Sequence, residues 1–338
     1  MVRPAPNETA GSVLILALWT LFFITALALA LHTRVLGMTR FAAQSTRERI
    51  AYAAAHGGVA LAQAALVPTN GWDRLVDDPA LFRDRGLPGG AHVSVSYVVR
   101  DSDGVAVQKH GLAGEEGKVN FNRASPELLR ALLQRIGGIE SRAATALATR
   151  ILDWRGDGEE EAGRAAERRY RERGVPPGVR GHPMQTLHEL LLIEGMSEDV
   201  FARIMPHATL YGEGRIHVNM AALPVLEALA DSVGAGTAAE RASLCRKLVQ
   251  FREAGHAFDA VEEKALLGPL EDFISLSAGE RSVLRALRPE LGVESRFFGG
   301  HALGGAGLNP DEADADVTRR IRFILDRERR APVYWEEG

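Results

Sequence analysis

Cysteine occurs once in 338 residues, as Cys245, so the chain forms no intrachain disulfide and neither an oxidising nor a reducing compartment is excluded. Ten histidines are scattered without clustering, and packing or surface positions are their simplest reading. Neither sign of charge dominates: a formal net charge of -4 supplies no general attraction for nucleic acid. Enzyme motifs are also missing. His188-Glu189 is not followed by a histidine four residues on, as a zinc protease helix requires, and the GGHALGGAG stretch fails the spacing of a dinucleotide-binding turn. With 46% hydrophobic and 25% charged residues the chain is nevertheless globular, and long enough for about two domains.

One further absence is local. No charge falls between Ser12 and Leu31 in SVLILALWTLFFITALALAL, about the 20 apolar residues that span a bilayer as a helix. A short polar leader, MVRPAPNETAG, precedes it and ends on Gly11. A small residue ahead of the apolar run, with no cleavage region after it, inverts the secretory-signal order. On hydropathy alone an unprocessed signal anchor fits as well. Arg34, Arg40, Arg47 and Arg49 follow the run and only Arg3 precedes it, an asymmetry that by itself favours a cytoplasmic C-terminal side.

No proline interrupts the chain until Pro68. Tyr52, Ala55, Val59, Ala62 and Leu66 fall at helical spacing on one face, Ile50, Ala54, Leu61 and Ala65 on another, and Arg49, His56 and Gln63 on a narrow polar edge. The pattern predicts a helix of about 50 residues, roughly 75 Å long, that packs on a sheet by one side and on neighbours by the other. HVSVSYVVR and VAVQKH, joined at Asp101-Ser102-Asp103-Gly104, read as a strand pair, and RRIRFILDRERRAPVYWEE as another, with Ile321, Phe323 and Leu325 on one face. A helix, a hairpin and a sheet completed only at the C-terminus make an α+β chain with a large insertion. The divisions are 1–11, 12–66, 67–117, 118–290 and 291–338.

The insertion repeats itself. KVNFNRASPELLRALL (118–133) aligns without gaps on RIHVNMAALPVLEALA (215–230), an offset of 97 residues that marks a duplicated unit. Ser125-Pro126 is a helix-starting pair, and helices are expected at about 126–135, 141–155, 186–194, 197–206, 223–232 and 238–253. The unit resembles helix-hairpin-helix or SAM-like repeats, which opens a second function, a membrane-anchored DNA-binding protein of a competence type. Such hairpins hold phosphate on backbone amides freed by two glycines. Ile136-Gly137-Gly138-Ile139-Glu140 puts a carboxylate at the second glycine, and Ile193-Glu194-Gly195-Met196-Ser197 runs into Glu198 and Asp199. These carboxylates oppose phosphate, so no nucleic-acid partner is expected.

The leader and anchor, then VNFNRASPELLRALL, ILDW, TLHELLLIEGM, MPHATLYG and IHVNMA in that order, resemble the minor pseudopilin K family of the type II secretion system over nearly the whole chain. The resemblance implies a pilin-like fold with an all-α domain inserted in its sheet, no enzymatic activity, and a single-pass inner-membrane protein whose C-terminal domain is periplasmic. It implies cleavage by prepilin peptidase between Gly11 and Ser12, and methylation of the Ser12 amine. Most subunits of this class carry glutamate at the fifth mature position, where the carboxylate neutralises a neighbour's N-terminal amine; here that position is Leu16. An unpaired charge in hydrocarbon costs at least several kcal/mol, so a subunit without the carboxylate accepts no subunit ahead of it. The implied role is to cap the tip of the pseudopilus with minor pseudopilins of the I and J types. The resemblance further implies Ca²⁺ near the acidic DWRGDGEEE loop, with Asp153, Asp157 and Glu167 as ligands, although Arg168 stands where the family motif has another carboxylate.

Overall fold

A computed structural model describes residues 9–66, 77–100, 106–158, 170–172, 174, 181–306 and 317–338; the expected turn at 101–104 and Glu167 lie outside them. Helix α1 runs unbroken from Thr9 to Ala65, 57 residues or about 85 Å. A short helix α2 (Pro79–Phe82) leads into β1 (Arg85–Gly86) and β2 (Ala91–Arg100), which turns back as β3 (Ala106–Lys109) and β4 (Ala113–Gly114). The insertion follows: β5 (Val119–Asn120), α3 (Pro126–Arg135), α4 (Ser141–Arg155), α5 (Glu198–Ile204), β6 (Ala208–Thr209), β7 (Ile216–His217), α6 (Leu223–Val233), α7 (Ala238–Glu253), α8 (Glu263–Phe273), α9 (Ala278–Leu287) and β8 (Leu291–Gly292). The chain returns as β9 (Phe297–Ala306), β10 (Val317–Asp326) and β11 (Ala331–Glu337).

The main sheet is antiparallel in the order β1-β2-β9-β10-β11, with β4 taking over from β2 along the edge of β9. Its core forms where Ala55, Val59 and Ala62 of α1, and Leu66 just after it, meet Val95, Phe298, Ala302, Ile321, Phe323 and Leu325. The expected faces of α1 and β10 therefore meet in one layer. Contact is close because both elements carry glycine at the crossing. A Cβ at Gly58 would lie 2.6 Å from Val93 Cγ2, and one at Gly304 would overlap the backbone of Ala51 and Ala55.

Three expectations change. Tyr52 is not core: it is half exposed, and its hydroxyl donates to Glu337 Oε1 at 2.8 Å. The polar edge at His56 and Gln63 is covered by β11 and the turn before it, where His56 lies against Tyr52 and Trp335 and Gln63 donates to the Arg330 carbonyl. The segment expected as a helix at 186–194 is a 3-10 turn, Leu187–Leu192, closed by a capping box between Thr186 and Glu189. Glycine-rich β9, and helices α8 and α9, add to the elements expected.

A second core, from Val119 to Leu291, belongs to the insertion. The duplication extends through it. In the first unit β5 pairs parallel with β6, and in the second β7 pairs parallel with β8. Asn122 holds both backbone polar groups of Met184 at 2.9 and 2.8 Å, while Asn219 holds those of Phe258 at 2.8 and 2.8 Å. What the structure shows is two related strand and helix-pair units; it does not establish the helix-hairpin-helix type.

Candidate functional site

The anchor half of α1 is bare. Val13 to Gln44 are all exposed, Leu16 at 69% and Phe41 at 76%. Monomeric proteins rarely expose apolar patches beyond a few hundred Å², so a surface of this length marks contact with lipid or with other helices. It is long and apolar enough to cross a membrane. Its polar groups are satisfied within the helix: the hydroxyls of Thr20, Thr25 and Thr33 donate to the carbonyls of Ala17, Leu21 and Ala30, as a low-dielectric setting requires. Gly11 and Ser12 both fall inside α1. Leu16 offers no polar atom to a neighbouring amine.

A second constellation, unmarked in the sequence, joins insertion to sheet. The chain leaves the sheet at Glu115-Glu116 and re-enters at Arg296-Phe297. Buried Glu116 accepts the backbone N–H groups of both, at 2.9 and 3.2 Å. Burial raises its carboxyl pKa despite those bonds. Glu115 accepts from Thr209 Oγ1 at 2.7 Å and Lys118 Nζ at 2.6 Å. Arg296 then grips Asp326 through Nε at 3.0 Å and Nη2 at 2.6 Å, and this guanidinium holds the Asp326 carboxyl below the usual carboxylate range. Glu115, Glu116 and Asp326 are buried, so these charge-assisted bonds tie down the two points where the chain leaves and rejoins the sheet.

The implied calcium ligands divide. Glu167 is outside the described residues, while Asp153 and Asp157 sit at the C-terminal end of α4. Asp157 already accepts Arg155 Nε at 2.6 Å. Among the described residues no group of three or more histidine, cysteine, aspartate or glutamate side chains could hold a metal. Calcium takes six to eight oxygens, and Asp153 and Asp157 are the two implied donors that fall among the described residues. The dismissed His188-Glu189 pair is structural: Glu189 caps its turn and accepts Trp154 Nε1 at 3.1 Å.

His217 supplies a pH dependence. It is fully buried, burial pushes its pKa down from 6.5 to about 4, and Nδ1 accepts the Asn219 N–H at 3.2 Å. The neutral ring is the native form, so the unfolded chain takes up a proton first. The stabilisation is whole above pH 6.5 and is lost as pH falls toward 4, a change of about 3 kcal/mol. Asn120 fills the equivalent place in the first unit, its Oδ1 accepting the Asn122 N–H at 2.9 Å. His217→Asn should therefore fold and reduce the drop in Tm between neutral pH and pH 4. An unchanged drop would show that His217 does not carry it.

A long helix laid by its second half on an antiparallel sheet, with its first half bare and apolar, is a pilin-like arrangement. Residues 108–213 match the family model described as type II secretion system (T2SS), protein K. The crystal structure of the GspK-GspI-GspJ complex from the enterotoxigenic Escherichia coli type 2 secretion system contains a chain that superposes with a TM-score of 0.57 at 18% identity. The superposition covers 89% of this chain and 99% of that one, and it establishes a common fold. No curated protein matches the chain. The family match is confined to 108–213, from the end of β3 into the first half of the insertion, and that stretch is similar to protein K.

Proposed function

We propose that this subunit caps the tip of a periplasmic pseudopilus, initiates its assembly and so serves the export of folded proteins, as a structural component and not an enzyme. The observation that carries the reading is Leu16, exposed near the start of the uncharged stretch of α1. A fibre subunit below can offer its glutamate to the Ser12 amine, but nothing above can be held in return. Minor subunits of the I and J types are the proposed partners, because the solved complex that shares the fold is GspK-GspI-GspJ. The anchor spans the inner membrane with the sheet and insertion in the periplasm, since the polar leader has to stay on the side of the prepilin peptidase. No observation favours the DNA-binding reading: Glu140 stands at the N-cap position of α4 directly after the first glycine turn, and Glu198 and Asp199 open α5 after the second.

Processing tests the reading. N-terminal sequencing of membrane-extracted protein should begin at Ser12 with a methylated amine, and Gly11→Val should abolish cleavage. An export-dependent reporter at the C-terminus should be active. Recovery of intact Met1, or cleavage beyond Leu31, would overturn the assignment.

A further inference from the structure

We propose that Arg155 closes the first unit of the insertion in this chain, in the place where the family resemblance implies calcium, and that the insertion folds without a metal. The argument is an internal comparison between the two units, which carry the same closing parts at the same offset.

In the second unit the nearly buried Arg252, at the end of α7, donates through Nη1 to the carbonyls of Val218 and Ala221, both at 2.8 Å. In the first, Arg155 at the end of α4 donates through Nη1 to Phe121 O at 2.7 Å and through Nη2 to Ala124 O at 2.9 Å. Each arginine thus bridges the turn between a short strand and the first helix of its unit. Each unit adds an asparagine that holds a backbone residue further on, 62 positions away in the first and 39 in the second. The second unit closes over a short connection from Glu253 to Phe258 with no acidic segment. Metal is therefore not a requirement of the unit as such.

The longer loop of the first unit is also tied at its root by described groups. Arg155 Nε donates to Asp157 Oδ2 at 2.6 Å, and Gly181 N donates to Trp154 O at 2.7 Å. The Tyr170 ring stands on Trp154 at 5.2 Å, and its hydroxyl accepts the Glu194 N–H at 3.2 Å. The Arg155 guanidinium carries a positive charge. A divalent cation on Asp157 would face that charge across one carboxylate. Moving the guanidinium aside would strip two buried carbonyls of their donor.

The test is thermal unfolding of the full-length detergent-solubilised protein in excess EDTA and in millimolar Ca²⁺, with calorimetric titration of Ca²⁺ alongside. The same Tm in both buffers and no saturable heat are expected. Arg155→Met and Arg252→Met should each lower Tm by several degrees, and Ca²⁺ should not restore it. Should Arg155→Met not fold, Arg155→Lys, which retains fewer bonds, should give an intermediate Tm. Asp157→Asn, which leaves the carbonyl bonds intact, should lower Tm slightly and equally in both buffers. The proposal is overturned if Ca²⁺ raises Tm by several degrees and Asp157→Asn removes the rise, or if Arg155→Met leaves Tm unchanged. Either result leaves the tip reading untouched, because that rests on Leu16 and the anchor.

Discussion

Gly304→Val is expected to separate α1 from the sheet and abolish the native fold of the sheet domain. Strand β9 lies between β2 and β10 and cannot shift sideways without breaking both ladders. Above it, a Cβ at 304 would overlap the Ala51 carbonyl oxygen and the Ala55 nitrogen, and would lie 2.9 Å from the Ala54 carbonyl carbon. These are helix backbone atoms, not the movable end of a side chain. Ala51, Ala55 and Val59 are buried, so the helix cannot back away without opening the core. Overpacking a core costs about 1–3 kcal/mol when side chains yield; a rigid obstacle puts the cost at the top of that range or above, a large part of a domain's stability of about 5–15 kcal/mol. Gly86→Val is the control, because a Cβ there meets nothing within 4 Å. Limited proteolysis and thermal unfolding of the two variants should differ sharply. A Gly304→Val protein as stable as wild type would mean that α1 does not cross β9 at this point.

The same glycines explain what the sequence hides. Strands favour β-branched and aromatic residues, and FFGGHALGGA reads as a loop by that standard. Its glycines are there because a helix backbone lies on them, a fact that only the assembled layer supplies. Helix α8 carries Pro269 inside it, which masks its period. Where local signals act alone, the reading holds to the residue. The Ser125 side chain accepts the Leu128 N–H and starts α3, the Thr237–Glu240 capping box starts α7, and Gly156 in a left-handed conformation ends α4. The anchor was legible for an equally local reason, an interval without charge. The junction was not, since Glu116 and Arg296 are 180 positions apart and no local pattern links them. Arg155 and Arg252 stand at the repeat offset but outside the stretch where the two sequences visibly align. Extending that alignment would have paired them.

Loss of the fifth-position glutamate from the subunit below should release this protein from its partners, whereas Leu16→Glu should be tolerated or mildly harmful. The asymmetry follows from where charge is left over. On the proposed processing, the Ser12 amine would stand at the start of an apolar helix, with a neighbour's carboxylate as its counter-ion. Breaking a pair of that kind by removing one member costs about 3–5 kcal/mol, because the other charge stays buried alone. At Leu16 no such pair exists, and a leucine only has to pack. A glutamate placed there adds an unpaired acid, which can lower the assembly yield but cancels no existing contact. Sterics would point the same way on the proposed tip role, since the insertion over residues 118–290 adds a second core beside the sheet. Co-purification of the minor-subunit complex, with each partner's glutamate replaced in turn, reads the effect. Retention of the complex in every partner variant would remove the electrostatic argument.

The position of the wild-type protein in assembled fibres tests the tip assignment most directly. Immunogold labelling of sheared pseudopili, with the ratio to the major subunit measured by quantitative mass spectrometry, should place it at one end only, in a ratio that falls as the fibres lengthen. Label spread along the fibre, at a constant ratio to the major subunit, would contradict capping.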